Sequence, residues 1–300
     1  MTELTFENPF RAPGRWWRGN LHTHTTRSDG ELSPDETAAA YRSLGYDFLA
    51  ITDHGCVTGV SEVPEGLLLL PGVEHGTVEG DPPRAWHLVS VGMTPGVPPA
   101  GGDLATLHAW VREHAVFSWL AHPYWSNLSE DECASLDDVR TTEIYNAVCE
   151  RCIDRGCSDS AWDYVLDSGV RMNAIAVDDA HTTGDFGRGW IMLRAGRLDR
   201  DAVYDALRRG CFYATTGPEI RDLVLDDDVL RVSTSPARSV RFLAGNLRGA
   251  CTWATDAGPV ETAEYRFTGD ERYVRVLVED AAGRRAWTNP VYVERNAGGD

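Results

Sequence analysis

Strand-length apolar runs that end in a histidine or a carboxylate constrain this chain more than any other feature of it. The run at 48–52 ends in Asp53 and His54, the run at 67–73 in Glu74, the run at 116–121 in His122, and the run at 171–177 in Asp178, Asp179 and His181. Between residues 18 and 210 such runs alternate with amphipathic stretches, the pattern of an α/β chain built from β-α units around a largely parallel sheet or barrel. Carboxyl ends of successive strands share one face of a β/α barrel, so side chains placed there converge. The first helix is the clearest of the intervening segments. Ser33 caps it, Pro34 fits its first turn, Glu36 completes a capping box and Gly45 closes it, with the 48–52 run following at once.

Ahead of that helix stands His22-Thr23-His24, with Asp29 five residues further on. A His-x-His pair on an extended strand puts both imidazoles on one side of the backbone, where they can share a cation. His87 lies inside the run 86–91. The candidate ligands are therefore His22, His24, Asp29, His54, Glu74, His87, His122, Asp179 and His181. Imidazole and carboxylate donors without thiolate suit zinc, manganese or iron, and one carboxylate can bridge two cations. Asp178 competes with Asp179, because a one-residue slip exchanges them. All 28 basic residues are arginine. With no lysine, neither a P-loop, a Schiff base nor a carbamylated bridging lysine is available, and any anionic bridge must be Asp or Glu.

Composition narrows the setting. A net charge of -18 speaks against a general nucleic-acid surface but not against a small anion held by metals. The N-terminal segment carries Glu3 and Glu7 without a basic-then-apolar signal, and the apolar stretch 67–70 is too short to span a bilayer. A soluble cytoplasmic protein with reduced cysteines is expected, and an oligomer is compatible with the sequence. Cys149 and Cys152 form a CxxC with no second pair at zinc-ribbon spacing, so they read as packing residues. From 211 onward the runs 222–225, 240–243 and 273–278 are β-rich and broken by Asp, Gly and Pro turns. Residues 1–210 are thus expected to form the barrel and 211–300 a small antiparallel β-sandwich.

His22-Thr23-His24 with Ser28-Asp29-Gly30, Thr52-Asp53-His54, Gly72-Val73-Glu74, Ala121-His122-Pro123 and Asp179-Ala180-His181 resemble, in family order, the motifs of the PHP (polymerase and histidinol phosphatase) family. The segment 209–219, followed by β structure, is similar to the CehA/McbA branch, which is named for a carbamate-ester hydrolase. The resemblance implies a distorted (β/α)7 barrel holding two or three divalent ions. One would be bound by His22, His24, Glu74 and Asp179, a second by the bridging Glu74 with His87 and His122, a third by Asp29, His54 and His181. The expected reaction is hydrolysis of a small phosphate mono- or diester by a hydroxide held at the metals. Carbamate or carboxylic ester hydrolysis at the same centre is the alternative, and a non-catalytic metal-binding module is the reading from another class.

Asp53, Asp178 and His181 are the candidate catalytic residues, Asp53 by orienting an imidazole through its other nitrogen. Arg27, Tyr124 and Arg188 are candidate substrate contacts, the arginines because no lysine can grip an anion. His108 and His114 read as surface residues of a helix, and His75 stands outside the site. The loops 79–85 and 127–138 would select the substrate without showing readable chemistry.

Overall fold

A computed structural model of the chain describes residues 2–5, 8–93, 102–136, 138–245 and 247–295. Glu7, Asp137 in the loop 127–138, and residues 296–300 of the expected sandwich lie outside the described residues. The chain runs through β1 (Thr2–Thr5), β2 (Arg15–Asn20), α1 (Pro34–Ser43), β3 (Phe48–Ile51), β4 (Leu68–Glu79), β5 (Arg84–Val91), α2 (Leu104–His114), β6 (Phe117–Leu120), α3 (Glu130–Ala134), β7 (Thr141–Asn146), α4 (Ala147–Ile153), α5 (Asp159–Asp167), β8 (Asn173–Val177), β9 (Trp190–Ala195) and α6 (Arg200–Arg209). An all-strand portion follows: β10 (Phe212–Thr215), β11 (Ile220–Asp226), β12 (Val229–Ala237), β13 (Ser239–Ala244), β14 (Arg248–Trp253), β15 (Val260–Arg266), β16 (Tyr273–Glu279), β17 (Arg285–Thr288) and β18 (Val291–Arg295).

Helix α1 starts where its residues dictate. The Ser33 side chain accepts from the Glu36 N–H while the Glu36 carboxylate accepts from the Ser33 N–H. Its inner face buries Ala38 and Tyr41 against Tyr46, Leu49 and Ile51.

Strands β2, β3 and β4 pair in parallel, as do β6, β7 and β8. Between these blocks β4 and β5 form an antiparallel hairpin, and β5 pairs antiparallel with β6. The sheet is therefore mixed rather than uniformly parallel. The short link between Glu79 and Arg84 explains this, since a parallel crossover needs about a dozen residues or more. At the other side β9 pairs antiparallel with β2. Beyond the strand ends, His24 N–H donates to Ala180 O and Asp179 N–H to His22 O, both at 2.9 Å, so the segments after β2 and β8 lie side by side. Leu21, Phe48, Val89, Trp119, Ile175 and Ile191, all fully buried, fill the space enclosed below them.

Strand β10 pairs with both β9 and β17, which carries the sheet into the all-strand portion. There β11, β12 and β15 make a separate antiparallel sheet. It packs over Leu223, Leu230, Val232, Phe242, Val274 and Val276 against the sheet containing β13 and β16. The N-terminal β1 pairs with β18 in that second sheet. Trp287 and Leu277 pack with Trp162 of α5, and the buried Arg275 forms ion pairs with Asp163 at 2.7 Å and Asp159 at 3.3 Å. No helix among the described residues is long and apolar enough to cross a membrane.

Candidate metal centre

His22 and His24 leave the end of β2 in extended chain, both buried, with their Nε2 atoms 3.2 Å apart. Glu74 Oε2 lies 3.2 Å from His22 Nε2 and 3.1 Å from His24 Nε2, and Asp179 Oδ1 lies 3.2 and 3.1 Å from the same atoms. The other Glu74 oxygen, Oε1, lies 2.6 Å from His87 Nδ1 and 3.4 Å from His122 Nε2. Towards the rim, Asp29 Oδ2 lies 3.5 Å from His54 Nε2 and 3.4 Å from His181 Nε2, with His24 Nδ1 3.4 Å from Asp29 Oδ1. Three donor groups result: His22, His24, Glu74 and Asp179; Glu74, His87 and His122; and His24, Asp29, His54 and His181. Glu74 stands in two of them and so does His24, whose place in the rim group was not expected from sequence.

The ring nitrogens that face away from the groups are held by the protein. His22 Nδ1 is 2.7 Å from Glu143 Oε1, His122 Nδ1 3.0 Å from Ser126 Oγ, and His181 Nδ1 2.8 Å from the Asp179 carbonyl oxygen. A carboxylate can only accept, so Glu143 keeps the His22 proton on Nδ1 and turns the Nε2 lone pair towards Glu74 and Asp179. Lone pairs facing one another at this distance repel unless a proton or a cation lies between them. Asp179 Oδ1 is buried and faces the Nε2 atoms of His22 and His24, at 3.2 and 3.1 Å.

The electrostatics agree. Burial works against a charged His22, yet Asp179, Glu74 and Glu143 outweigh it and raise the imidazole well above its ordinary range. His24 is raised to about 9, against burial, by hydrogen bonds and charge from Asp179 and Glu74. Glu74 and Asp179 are held below the usual carboxylate range, again against burial, with His22 the leading cause in each. Two ligand residues also carry unusual backbone, His122 at φ 24° and Asp179 at φ 51°, a conformation that side-chain-bearing residues adopt at a cost. The pocket demands positive charge, and its nitrogen and oxygen donors fit divalent transition metals.

No family model matches the chain. Over 101 residues it is 31% identical to the 3',5'-nucleoside bisphosphate phosphatase of Chromobacterium violaceum, a match covering 32% of this chain and 35% of that protein. Over 78 residues it is 37% identical to the 5'-3' exoribonuclease of Haemophilus influenzae, covering 24% and 27%. The chain thus matches about a third or less of the length of these curated relatives. A solved structure from Bacteroides vulgatus, a two-domain protein containing a predicted PHP-like metal-dependent phosphoesterase, aligns over 92% of this chain and 94% of that one, with a TM-score of 0.53 and 16% identity. The chain has a PHP-like fold. At that identity the likeness speaks for the fold alone.

Within the PHP-like fold, several residues stand elsewhere than expected. Asp53 was expected to orient an imidazole, but its carboxylate accepts from Thr25 N–H and Oγ1 (both 2.7 Å), Ser28 Oγ (2.6 Å) and Thr58 Oγ1 (2.5 Å). It fastens the loop that carries Asp29. Gly30 in that loop lies so close to His24 that a Cβ would fall 2.5 Å from the His24 carbonyl carbon. Asp178 turns away from the donor groups and accepts from the N–H groups of Gly187, Arg188 and Gly189 (2.8, 2.7 and 2.8 Å) and from the Tyr41 hydroxyl (3.0 Å). Burial lifts its pKa to about 6 despite these donors. Just past the end of β8 the chain turns at Asp179, whose φ is 51°, so its carboxylate faces the histidines while that of Asp178 meets the loop 187–189.

The residue that sequence reading missed is Glu143. Fully buried on β7, it accepts from Trp119 Nε1 (3.0 Å), His122 N–H (2.9 Å) and Asn146 Nδ2 (2.8 Å) as well as meeting His22. Its signal was a lone carboxylate inside the buried run 141–146, which cannot be solvated and so needs partners. His75, next to Glu74, packs on Trp110 with ring centroids 5.3 Å apart, and burial lowers its pKa to about 4. His108 is half-buried, and His114 Nδ1 meets the Trp110 carbonyl.

A cavity of about 260 Å³ opens over the donor groups, walled by Trp125 and by Val148, Cys149, Cys152 and Ile153 of α4. Trp125 meets His122 edge-on, with ring centroids 4.8 Å apart, and lies tilted against His87 at 5.8 Å. Arg27, Tyr124 and Arg188 do not line it. Arg188 donates from Nε to the Gly184 carbonyl and lines another cleft with Thr216 and Arg284, while Tyr124 lies under the Arg155 guanidinium.

Proposed function

We propose that this chain is a PHP-superfamily hydrolase, dependent on two or three divalent metal ions, that cleaves a small phosphate mono- or diester. The observation that carries the reading is the set of three overlapping donor groups hinged on Glu74 and His24. When bound there, divalent zinc, manganese or iron would activate water for attack and offset the charge of the phosphoryl oxygens. The chain's own residues supply the frame. Glu74 directs one oxygen into each of two groups, Glu143 holds the Nδ1 proton of His22, Ser126 meets the distal nitrogen of His122, and Asp53 holds the loop of Asp29. No side-chain nucleophile is required, because the attacking oxygen in this reading comes from water. The two curated relatives, named for phosphoester cleavage, support the reacting bond.

In this reading β2 to β8 are the distorted (β/α)7 barrel, residues from 211 onward are the appended sandwich, the branch is CehA/McbA-like and the protein is cytoplasmic. Purified protein should carry two or three transition-metal ions per chain and hydrolyse p-nitrophenyl phosphate. Chelation and His24→Ala should each abolish the activity; turnover that survives both overturns the proposal. A second reading, carbamate or carboxylic ester hydrolysis, is favoured by the absence of arginine among the described residues lining the cavity. Side-by-side rates on an aryl phosphate and an aryl carbamate decide between them.

A further inference from the structure

The walls of the metal-site cavity divide sharply by chemistry. One side is the donor groups, and the other is Trp125, Val148, Cys149, Cys152 and Ile153. Trp125 is 37% exposed and Ile153 55%, so both present apolar surface. No arginine lines the cavity among the described residues, and the chain has no lysine. Of the arginines nearby, Arg151 pairs with Asp185, Arg155 lies over Tyr124 and Arg188 donates to Gly184, while Arg27, exposed two residues before Asp29, does not line the cavity.

Resting on the phosphoester reading, we infer that the site selects esters bearing a single phosphate and a flat apolar group, and disfavours substrates with a second phosphate. The phosphate sits over the donor groups. The apolar group lies between the Trp125 ring and α4, where its contact area and ring stacking favour an aromatic over an alkyl substituent. A second phosphate on the same substrate reaches the apolar wall, where no cation lines the cavity, so its lost hydration is not replaced. Hydrolysis of an aryl ester forms one P–O bond from water and breaks the P–O bond to the ring. The electron pair departs with the phenolate, and the proton from water passes to solvent. Phenolates leave without protonation, which suits a wall whose only titratable groups are the thiols of Cys149 and Cys152.

Calorimetric binding to the metal-loaded protein tests this with ligands that cannot be cleaved. Phenylphosphonate should bind at least about tenfold more tightly than methylphosphonate. Benzene-1,4-bisphosphonate, which adds only a second uncleavable anionic group, should bind more weakly than phenylphosphonate. In Trp125→Ala, and independently in Ile153→Ser on the exposed end of α4, the phenyl-to-methyl ratio should fall to about threefold or less. Equal binding of phenylphosphonate and methylphosphonate, or tighter binding of the bisphosphonate, overturns the inference; if aryl phosphate is nonetheless hydrolysed, the phosphoester reading stands. If the metal-loaded protein binds neither phosphonate and cleaves no phosphate ester, both fall together.

Discussion

Replacing Glu143 by glutamine keeps the shape of a fully buried side chain while removing its charge and half of its accepting capacity. In the native protein Oε1 faces His22 Nδ1 and Trp119 Nε1, and Oε2 faces the His122 N–H and Asn146 Nδ2. A glutamine carbonyl can serve one of these pairs, so its NH2 confronts the other whichever way the amide is turned. With the NH2 towards His22, that imidazole must accept at Nδ1 and carry its proton on Nε2, the nitrogen that faces Glu74 and Asp179. With the NH2 the other way, the His122 backbone and Asn146, which also holds Asp179 Oδ2 at 3.0 Å, lose their anchor.

Loss of a partner that orients a metal ligand costs about 10–100-fold in affinity, or about 1.4–2.8 kcal/mol. Competition against a chromophoric chelator measures it for the tightest-bound ion. The comparison needed is Leu223→Ala in the sandwich core, a fully buried deletion expected to cost about 2–5 kcal/mol of stability without touching the donors. Unchanged metal affinity in Glu143→Gln, or an equal loss in Leu223→Ala, refutes the reasoning, because the effect would then be absent or merely global.

Further expectations concern the sharing of ligands and the behaviour in acid. His24→Ala should lower metal content by more than one ion per chain and His87→Ala by one, because His24 stands in two donor groups and His87 in one; elemental analysis after gel filtration reads the difference, and equal losses would contradict the sharing. Glu271 in the β-rich portion accepts from Thr268 N–H, Gly269 N–H and the Tyr265 hydroxyl, which against burial pull its pKa from 4.5 to about 2. Its folded value lies below its unfolded one, so its contribution is present above about pH 4.5 and disappears as pH falls towards 2. Glu271→Gln should therefore reduce stability at pH 7 by about 1–2 kcal/mol, after allowance for solvent screening, with the gap to wild type closing in acid. A denaturation series in which the gap is constant from pH 7 to about 3 rules out this assignment.

The chemistry of the site was legible because it is written in residue types and in their position along a strand. His22 and His24, His122 and Asp179 lie just past the ends of β2, β6 and β8, where the side chains converge, whereas Glu74 lies inside β4, which runs on to Glu79. The capping box of α1 was legible for the same reason: Ser33 and Glu36 interact within one turn, so no distant residue is needed. Glu143 was not. Its partners Trp119 and His22 are 24 and 121 residues away, and nothing local in the run 141–146 names them.

The same limit explains the other differences. Period-two alternation ends with β8 at Val177 and does not foretell the left-handed backbone at Asp179 that turns its carboxylate to the histidines and away from that of Asp178. It marks β4 and β5 as strands while leaving their antiparallel pairing to the short link between them. Nor does it decide that Trp125, three residues after His122, lines the cavity while Tyr124 does not. By itself, then, the sequence determined the strand runs, their helices and the donor inventory. The tertiary structure decided which strands adjoin, and with that which donors share an oxygen of Glu74, which carboxylate holds His22 and which aromatic ring faces the cavity. Those depend on contacts between residues far apart in the chain, set by packing of the whole sheet rather than by any local pattern.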